Sequence, residues 1–491
     1  MNIMKTLNLN FFLLIATVLL FTTACEDDQL MVDNPSNGDV QFERFVSGNP
    51  QVVLGASPDA DGNTFLTNRT LDSDTCYILN QFVRVPSGVT LTIEAGTTIL
   101  GRTGTLSGDP ATGIPPGTLI IERGGKIEAA GTAGNPIVFT SEQENPAIGD
   151  WGGVVILGRA FVNLPGGEGE IEGIPEATGG DNGYGGTING DNSGTLQYVR
   201  IEYAGNVLVD GDETNGLTLG GVGSGTTIDH VQVSFGADDG FEFFGGTVNA
   251  SYLIASRNTD DDFDTDQGYS GKIQFGIVLR DPNNFSSLPT NGFESNGDSD
   301  DASGSFTNAT FSNFTVIGPI KPGSTAAVNS AYRSGALIRD GSELDLFNSI
   351  IVGFPVYQLE LETTADFGSA VQVEGTTIVF PTYGSYTASF SNVAPATYLT
   401  SGYNNEIGNA NNSGVGQTTT GTLPQLTGLK VAAWSLTAPD FVPHTEKSSD
   451  FSNSLLTAGF FDTSVDFRGA FGASSEATEG TDWNIASWAR F

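Results

Sequence analysis

Two short runs of carboxylates lie close together in the middle of the chain. The first is Asp238–Glu242 (DDGFE), and the second, Asp260–Asp264 (DDDFD), follows 22 residues later with an aromatic residue in the same place. Carboxylates at this density suit two kinds of chemistry, which are ligation of a hard cation such as Ca²⁺ and acid–base work by a pair of carboxyl groups. Which of the two applies depends on the backbone element that positions them.

Four segments around these runs share one pattern, in which Asn or Asp is followed by a turn residue, an apolar residue and a polar residue. They begin at Asn215, Asp239, Asp261 and Asn291, so that they are 24, 22 and 30 residues apart. Repeats of roughly 20 residues or more are typical of stacked units. The sequence therefore predicts an all-β fold, a right-handed parallel β-helix (solenoid) with long surface loops.

Side chains alternate between the two faces of a strand, so each segment places one residue inward and the next outward. The predicted inward stack is Leu217, Phe241, Phe263 and Phe293. The predicted outward column is Thr218, Glu242, Asp264 and Glu294. Because neighbouring strands lie ~4.8 Å apart, the outward carboxylates would form a closely spaced column.

Such a column needs something to offset its repulsion. Unpaired like charges about 5 Å apart repel by roughly 3 kcal/mol at an effective dielectric near 20. Protonation of some carboxyl groups or a bound cation would relieve this, and oxygen ligands at this density favour calcium. The predicted ligands are Glu242, Asp262, Asp264 and Asp266, with Asp239 and Glu294 as further candidates. The alternative is an acidic surface that is simply solvated.

The overall charge restricts the classes of partner. The 491 residues include 57 Asp and Glu but only 19 Lys and Arg. Nucleic acid is excluded as a partner, because binding to phosphates requires clustered basic charge.

The N-terminus is typical of a lipoprotein signal. A short apolar run, residues 11–21, follows Lys5 and leads through small residues to Cys25. We therefore expect residues 1–24 to be a signal peptide and Cys25 to be the lipidated residue, with a plain secretory signal as the alternative. Residues 25–45 are expected to form a flexible tether, and residues 46–491 a single β-helix domain with irregular terminal coils from about residue 355.

Several long sequence segments resemble those of a family of exported β-helix surface lipoproteins of Bacteroidota. They lie at 117–141, 149–163, 171–180, 191–205 and 217–249, and the ending at 467–491 is also similar. The acidic residues after Cys25 resemble the export signal of such lipoproteins. The resemblance implies a lipid anchor in the outer membrane, exposure at the cell surface, and a TonB-dependent transporter or other outer-membrane barrel as partner. The family's biochemical activity is unassigned.

Two classes of function remain open. The first is a non-enzymatic binding or accessory subunit, or an adhesion scaffold, with no catalytic residue. The second is a calcium-dependent polysaccharide lyase or glycoside hydrolase that acts on a glycan. The GADDG segment (236–240) resembles the paired aspartates of polygalacturonase-type glycosidases, but that family's Gly-His-Gly and Arg-Ile-Lys motifs do not occur here. A lyase would use one of four cations as its base, namely Arg257, Lys272, Arg280 or Arg339.

Overall fold

The computed structural model describes most of the chain from residue 51 onward. The described residues are 32–33, 40–41, 51–55, 57–58, 62–104, 114–174, 179–209, 212–297, 306–321, 324, 326–362, 371–380, 390–391, 395–399, 403–409, 429, 431–441, 448–457, 459–472 and 485–491. The predicted signal peptide and Cys25 lie outside them, and so does most of the predicted tether.

Eleven strands form the first sheet, and every neighbouring pair in it is parallel. In chain order they are β4 (Asn63–Phe65), β7 (Phe82–Val85), β10 (Thr118–Ile121), β13 (Val154–Leu157), β19 (Leu217–Gly220), β21 (Phe241–Phe244), β23 (Phe263–Asp266), β25 (Phe293–Asn296), β27 (Ala336–Arg339), β30 (Leu359–Leu361) and β33 (Phe390–Ser391).

Seventeen strands form the second sheet, which is parallel as well. They are β3 (Gln51–Leu54), β5 (Arg69–Leu71), β6 (Cys76–Leu79), β8 (Thr90–Ile93), β9 (Thr98–Gly101), β11 (Lys126–Ala130), β12 (Ile137–Ser141), β16 (Gly194–Glu202), β20 (Thr227–Ser234), β22 (Ala250–Ser256), β24 (Lys272–Leu279), β26 (Thr310–Ile317), β28 (Asp345–Phe347), β29 (Ile350–Val352), β31 (Val373–Glu374), β32 (Thr377–Phe380) and β34 (Glu406–Asn409).

The chain alternates between the two sheets. Each strand of the first sheet up to β30 is followed by one long strand or two short strands of the second, and then the chain returns one position further along the first. This is the predicted right-handed parallel β-helix, and the prediction is confirmed. The core is the space that the coils enclose.

The predicted register of the central coils is also confirmed. Leu217 pairs with Phe241, Phe241 with Phe263, and Phe263 with Phe293. All four side chains are fully buried. The rings of Phe241 and Phe263 are parallel within 4° with centroids 4.9 Å apart, and Phe293 follows 5.6 Å from Phe263. The inward stack is therefore a continuous column along the helix axis.

A second column marks the bend inside the long strands of the second sheet. Tyr198, His230, Tyr252, Phe275 and Asn313 all have positive φ, between 48° and 65°. This left-handed conformation is uncommon for residues other than glycine, and here it turns each strand at the same point. The first four rings stack on one another with centroids 4.3, 4.4 and 4.9 Å apart. Stacking between coils supports a backbone conformation that each residue would otherwise disfavour.

The end of the chain crosses the outer side of the second sheet. We call its described parts, within residues 429–491, the C-terminal strap. Its apolar side chains Leu429, Ala433, Trp434, Phe441, Phe467, Ala470, Phe471 and Trp488 pack on Ile254, Phe275, Ile277, Leu279, Ile317, Ile350 and Val352. The sequence interpretation expected irregular terminal coils here. That interpretation stays a prediction, and the strap lies across coils that precede it in the chain.

Hydrogen bonds fix the strap to successive coils. Arg200 donates to the Trp488 carbonyl (3.3 Å), Gln274 to that of Asp462 (3.1 Å), Asn313 to that of Phe467 (2.8 Å) and Asn348 to that of Asp450 (3.0 Å), while Arg468 donates to Thr377 (3.0 Å). Since the residues on the sheet side lie on β16, β24, β26, the turn after β28 and β32, the strap ties distant coils together.

The remaining elements are small. Three antiparallel pairs join β1 (Val32–Asp33) to β2 (Val40–Gln41), β14 (Glu168–Glu170) to β15 (Gly183–Gly185), and β17 (Asn206–Val209) to β18 (Asp212–Thr214). Among the described residues, the helical elements are two short α-helices, α1 (Pro395–Tyr398) and α2 (Ile485–Trp488), and a 3₁₀ turn at Val431–Trp434. Within the described residues, none of the helices has the length and apolar character needed to cross a membrane.

Lipidation of Cys25 would leave Cys76, the second cysteine of the chain, as an unpaired thiol, and the structure differs from that expectation. Cys76 is buried in a small cluster with Ile78 and Leu100 and takes part in a disulfide bond. The chain has two cysteines, so lipidation of Cys25 and an intramolecular disulfide at Cys76 exclude one another. The identity of the modification at Cys25 therefore remains a prediction.

Candidate functional site

The outward face of the first sheet changes character along the helix axis. In register, the outward side chains run Ile120, Val155, Thr218, Glu242, Asp264, Glu294, Leu337 and Glu360. The apolar part is covered by the insertion between β13 and β16, whose Val162, Ile171, Ile174 and Tyr184 pack against it. The acidic part lies beyond that cover.

A cleft of about 540 Å³ lies over this acidic part. Its lining residues are Asp238, Asp239, Asp260, Asp261, Asp264, Leu288, Pro289, Glu294, Arg333, Leu337, Arg339, Glu360, Leu361 and Glu362. We call it the acidic cleft. Carboxylates line one end of it, and two arginines join further carboxylates at the other.

A ladder of side chains beside the cleft links one coil to the next. The Asn215 Oδ1 accepts the N–H of Asp239 (3.1 Å), and the Asp239 Oδ1 accepts the N–H of Asp261 (2.8 Å). The Asp261 Oδ1 in turn accepts the N–H of Asn291, and the Asn291 Oδ1 accepts the N–H of Ser334 (3.1 Å). Each rung needs only an acceptor oxygen, which either Asn or Asp supplies.

The two outer rungs are Asn, and each uses its amide to hold a glutamate of the outward column. Asn215 donates through Nδ2 to Glu242 Oε2, and Asn291 donates through Nδ2 to Glu294 Oε2 at 3.1 Å. The two inner rungs, Asp239 and Asp261, bring negative charge instead. Both line the cleft, and only 8% and 4% of their surface is exposed.

In the part of the chain that the structure describes, three groups of carboxylates bring ligand oxygens within 4.8 Å of one another. They are Asp238 with Asp239 and Asp260, Asp239 with Glu242 and Asp264, and Asp261 with Asp264 and Glu294. Asp264 belongs to two of the groups, and its Oδ1 is buried without a hydrogen-bond partner among the described residues. These oxygens could hold a divalent cation, because calcium accepts several carboxylates with flexible geometry.

Burial and mutual repulsion act in the same direction on this cluster. Burial raises the pKa of Asp239, Glu242, Asp261 and Asp264 well above the ordinary range, and neighbouring carboxylates raise it further. The Arg339 guanidinium opposes the rise in pKa at Asp264. Without a cation, the cluster therefore holds protons at pH values where solvated carboxyl groups are ionised.

Four of the six predicted ligands come together here, namely Asp239, Glu242, Asp264 and Glu294. Asp266 lies on the same outward face at the far end of β23, where it accepts the N–H of Gln267 at 2.6 Å. Asp262 is fully buried behind the strand and pairs with Arg280, with Oδ2 and Nε 2.6 Å apart. The alternation of side chains along a strand predicted that Asp262 shares a face with Asp264 and Asp266. Strand β23 begins only at Phe263, so this alternation does not extend to Asp262.

Asp262 and Arg280 form an ion pair inside the structure. Their alignment does not meet hydrogen-bond geometry, so the contact is chiefly electrostatic. Arg280 also donates to the carbonyls of Asn258 and Asn291, and Asn258 donates to Asp262 at 3.2 Å. Burial raises the pKa of Asp262 to about 7, while Arg280 opposes that rise. The pair anchors the turn that carries Asp261.

The arginine end of the cleft is held by carboxylates. Arg333 makes a two-pronged contact with Glu360, which also accepts the Ser334 hydroxyl at 2.5 Å. Arg339 pairs with Glu294 at 2.7 Å. Both arginine side chains remain 42% exposed. They can therefore donate to a ligand while their carboxylate partners keep them in position.

Of the four cations considered as lyase bases, only Arg339 lines the cleft. Arg257 donates to the Leu436 carbonyl of the strap at 2.8 Å, and the Lys272 ammonium lies 5.8 Å from the Phe461 ring centroid. Arg280 is buried with Asp262.

Several residues of the cleft were not assigned from the sequence. Asp261 already stood in the aligned pattern as the counterpart of Asp239, and that repeat could have identified the ladder. Arg333 and Glu360 belong to coils that follow an insertion, so their spacing gave no comparable signal.

Comparison with known proteins identifies one family. The family described as pectate-lyase-like β-helix domain matches residues 63–434, which include the whole cleft. A search of curated proteins gives no match.

Proposed function

Since the chain belongs to the family of pectate-lyase-like β-helix domains, we propose that it is a cell-surface protein that binds acidic glycans in the acidic cleft with the help of calcium. One observation carries the proposal. The cleft combines overlapping groups of carboxylates at one end with two half-exposed arginines at the other.

The size and chemistry of the cleft suit a chain of sugars. Its volume of about 540 Å³ lies within the range of ligand sites, roughly 300–1,000 Å³. The lining alternates charged groups, which can bond to hydroxyl and carboxylate groups, with a few apolar side chains. A protein with this much negative charge would repel a polyuronate unless a cation bridges the two.

Calcium is the cation that the cleft fits best. Asp239, Glu242 and Asp264 form one oxygen group, and Asp261 and Glu294 join Asp264 in a second. The buried Asp264 Oδ1, which has no hydrogen-bond partner among the described residues, supports Asp264 as a ligand. Calcium would neutralise the like charges of the cluster and present open coordination positions to a sugar carboxylate.

The arginine end supports binding more than proton abstraction. A general base must be available in its unprotonated form to accept a proton. Arginine is unprotonated near neutral pH only when its pKa is strongly lowered. The hydrogen bonds that Arg333 donates to the Glu360 carboxylate instead raise the pKa of Arg333. Arg333 and Arg339 therefore suit a role as hydrogen-bond donors to anionic groups of a ligand, which agrees with a non-enzymatic binding protein.

A hydrolase is the second candidate, and the carboxyl groups themselves favour it. Asp239 and Asp261 lie on adjacent coils, line the cleft and have raised pKa values, as a general acid requires. A glycoside hydrolase would use one of them to protonate the leaving oxygen and a second carboxylate as nucleophile or base. Of the two enzymatic alternatives, hydrolysis is therefore better supported than elimination by a lyase.

The proposed location is the outer face of the outer membrane. This proposal rests on the apolar run at residues 11–21 and on the residues that flank Cys25. It also rests on the resemblance of several sequence segments to those of exported lipoproteins. A rod on a lipid tether would hold the cleft away from the membrane and could deliver a glycan to an outer-membrane transporter.

The test begins with calcium and the purified protein. Thermal unfolding should shift upward with millimolar calcium, by about 2.7 kcal/mol of stability when calcium stands at a hundred times its Kd. Sodium at equal ionic strength should have much less effect. The shift should shrink in Asp264→Asn and persist in Glu168→Gln, which removes an exposed carboxylate elsewhere. An unchanged melting temperature in chelator would contradict the calcium site.

Glycan binding is then measured by calorimetry with polygalacturonate, alginate and neutral glucan oligosaccharides. Binding to the acidic oligosaccharides that requires calcium supports the proposal, whereas equal affinity for the neutral ones opposes it. Chromatography of the same mixtures separates binding from catalysis. Products that disappear in Asp239→Asn would establish the enzyme, with an unsaturated end group for a lyase and a saturated one for a hydrolase.

A further inference from the structure

A separate apolar surface lies near the N-terminal end of the β-helix, on the outer side of the second sheet. Val53, Ile78 and Leu100 occupy the same position on the neighbouring strands β3, β6 and β9. They face outward, because residues beside them on these strands, such as Tyr77 and Ile99, belong to the enclosed core. We call this outward cluster, which consists of Val53, Cys76, Ile78 and Leu100, the N-terminal patch.

The N-terminal patch is buried although it faces away from the core. Only 6% of Ile78, 2% of Leu100 and 1% of Cys76 is exposed. Outward residues elsewhere in the same sheet, such as Thr92 on β8 and Glu128 on β11, are only half-buried. Within the described residues, the apolar side chains of the patch all belong to β3, β6 and β9, and the C-terminal strap packs on a different cluster. The patch therefore requires a cover of its own.

The disulfide bond of Cys76 identifies the segment that reaches the patch. The chain has one other cysteine, Cys25, so an intramolecular bond brings the chain at residue 25 to the patch. At the other end of the segment, the chain enters β3 at Gln51, close to Val53. Residues 26–50 therefore begin and end beside the patch. They also contain apolar residues that can cover it, namely Leu30, Met31, Val32, Val40, Phe42, Phe45 and Val46.

We propose that residues 26–50 pack on the N-terminal patch and cover the outer side of the first coils, so that they do not form a free tether. The inference goes beyond the proposed function and does not rest on it. Within this segment the structure describes the antiparallel pair of β1 and β2. Lipidation of Cys25 would replace its bond to Cys76, but burial of the apolar side chains against the patch would still stabilise the packed segment. The lipid would then leave the protein close to β6.

This packing fixes the position of the acidic cleft relative to the anchor. In the first sheet, four strand steps separate β7, which follows β6, from β21, which carries Glu242. At ~4.8 Å for each step, the cleft begins about 19 Å from the anchored coil along the helix axis. A free tether would leave the distance between the cleft and the membrane undefined.

The size of the patch favours a segment of the same chain over a second molecule. Stable interfaces between proteins bury roughly 1,200–2,000 Å². The four side chains of the patch offer only a fraction of that area. A segment that is covalently attached on one side of the patch is present at a high effective concentration, so a small apolar surface is sufficient to hold it.

The test measures amide hydrogen exchange by mass spectrometry on the full protein, purified in the form that the cell produces. Amides of residues 30–50 should exchange slowly in the wild type. They should exchange at least about tenfold faster in Ile78→Ser, which removes apolar surface beneath them. Ile254→Ser is the matched control, because Ile254 is also buried on the outer side of the second sheet but lies under the strap. It should speed exchange in the strap and leave residues 30–50 unchanged.

Amides of β21 and β23 verify in each variant that the β-helix is folded. If Ile78→Ser does not fold, Val53→Ser replaces it, because Val53 is only half-buried, and exchange in residues 30–50 should again be faster. The proposal is refuted if residues 30–50 of the wild type exchange as fast as an unstructured chain, or if they stay protected in a folded Ile78→Ser. Wild-type dimers that Ile78→Ser separates in sedimentation would show that a second copy covers the patch, which also refutes the proposal.

Discussion

Asp239 and Asp261 each perform two tasks with a single side chain. One carboxylate oxygen accepts the backbone N–H of the next coil, as the Asn215 and Asn291 amide oxygens do on either side. The charge of the carboxylate is not needed for that bond. Its presence at the two rungs that line the cleft indicates a task beyond holding the coils together.

Exchange of Asp for Asn separates these two tasks. Asp239→Asn keeps the acceptor oxygen and removes a like charge, so in chelator it should unfold at an equal or higher temperature than the wild type. Asp239→Ala leaves the N–H of Asp261 without its partner and should cost about 1–3 kcal/mol. Both variants should lose most of the stabilisation by calcium. Unfolding of each variant with and without calcium gives the four stabilities to compare. A strongly destabilised Asp239→Asn would contradict the claim that this rung of the ladder needs only an acceptor oxygen.

The raised pKa values predict an unusual pH dependence. The folded state holds protons on Asp239, Glu242, Asp261 and Asp264 that the unfolded chain loses at ordinary carboxyl values. Without calcium, the contribution of these groups to stability is therefore greatest below about pH 4, the ordinary carboxyl pKa, and should fall over the interval above that value as the pH rises. Calcium should remove most of this fall, because it replaces the protons. A melting temperature in chelator that rises over this interval would contradict the prediction.

Asp345 provides the control for this pH series. It lies on the second sheet, and burial raises its pKa to about 8. Its contribution to the stability of the protein is therefore also lost as the pH rises above the ordinary carboxyl range. Calcium bound at the cleft should not change the contribution of Asp345 to the pH dependence of stability. Asp345→Asn should therefore reduce the pH dependence equally in chelator and in calcium.

At the scale of the strand, the inward column is the feature that the sequence predicted best. A repeat of Asn or Asp, turn, apolar and polar residues was enough to place Phe241, Phe263 and Phe293 in register, because coil stacking repeats the same environment at each turn. The same repeat placed Glu242, Asp264 and Glu294. It failed for Asp262, which precedes the strand, and it contained no information on Arg333 and Arg339, which insertions separate from the repeat.

The core column gives a direct test of the fold. Phe263→Ala removes a fully buried ring that contacts Phe241 and Phe293, and it should cost about 3–5 kcal/mol of unfolding free energy. Phe285→Ala is the control, because Phe285 is 39% exposed. Denaturant titration of the two variants measures the difference. Equal stabilities would contradict the register.

For the whole molecule, the anchor is the feature to test. If Cys25 is lipidated, mass spectrometry of the membrane protein should find a diacylglyceryl-modified N-terminal peptide, and Cys25→Ser should release the protein from membranes. Protease added to intact cells should digest the wild type. A Cys25–Cys76 disulfide in the mature protein would exclude the lipid, since one sulfur cannot form both bonds.

The strap was the part of the whole that sequence could not reveal. Its residues lack the repeat, and its hydrogen bonds to Arg200 and Thr377 reach residues that lie 288 and 91 positions earlier in the chain. Only the apolar outer side of the long strands gave a signal, and alternation alone does not distinguish a covered outer face from a buried inner one.

The strap also determines how the rod responds to tension. A force applied through the N-terminal end would peel a simple solenoid one coil at a time, because each coil is bonded only to its neighbours. Here the hydrogen bonds of the strap extend from Arg200 on β16 to Thr377 on β32, so these coils share the load. Pulling should first extend the coils before β16 in small steps and then release the strapped block in one large step. The acidic cleft lies within the span of that block and would keep its shape while the leading coils yield.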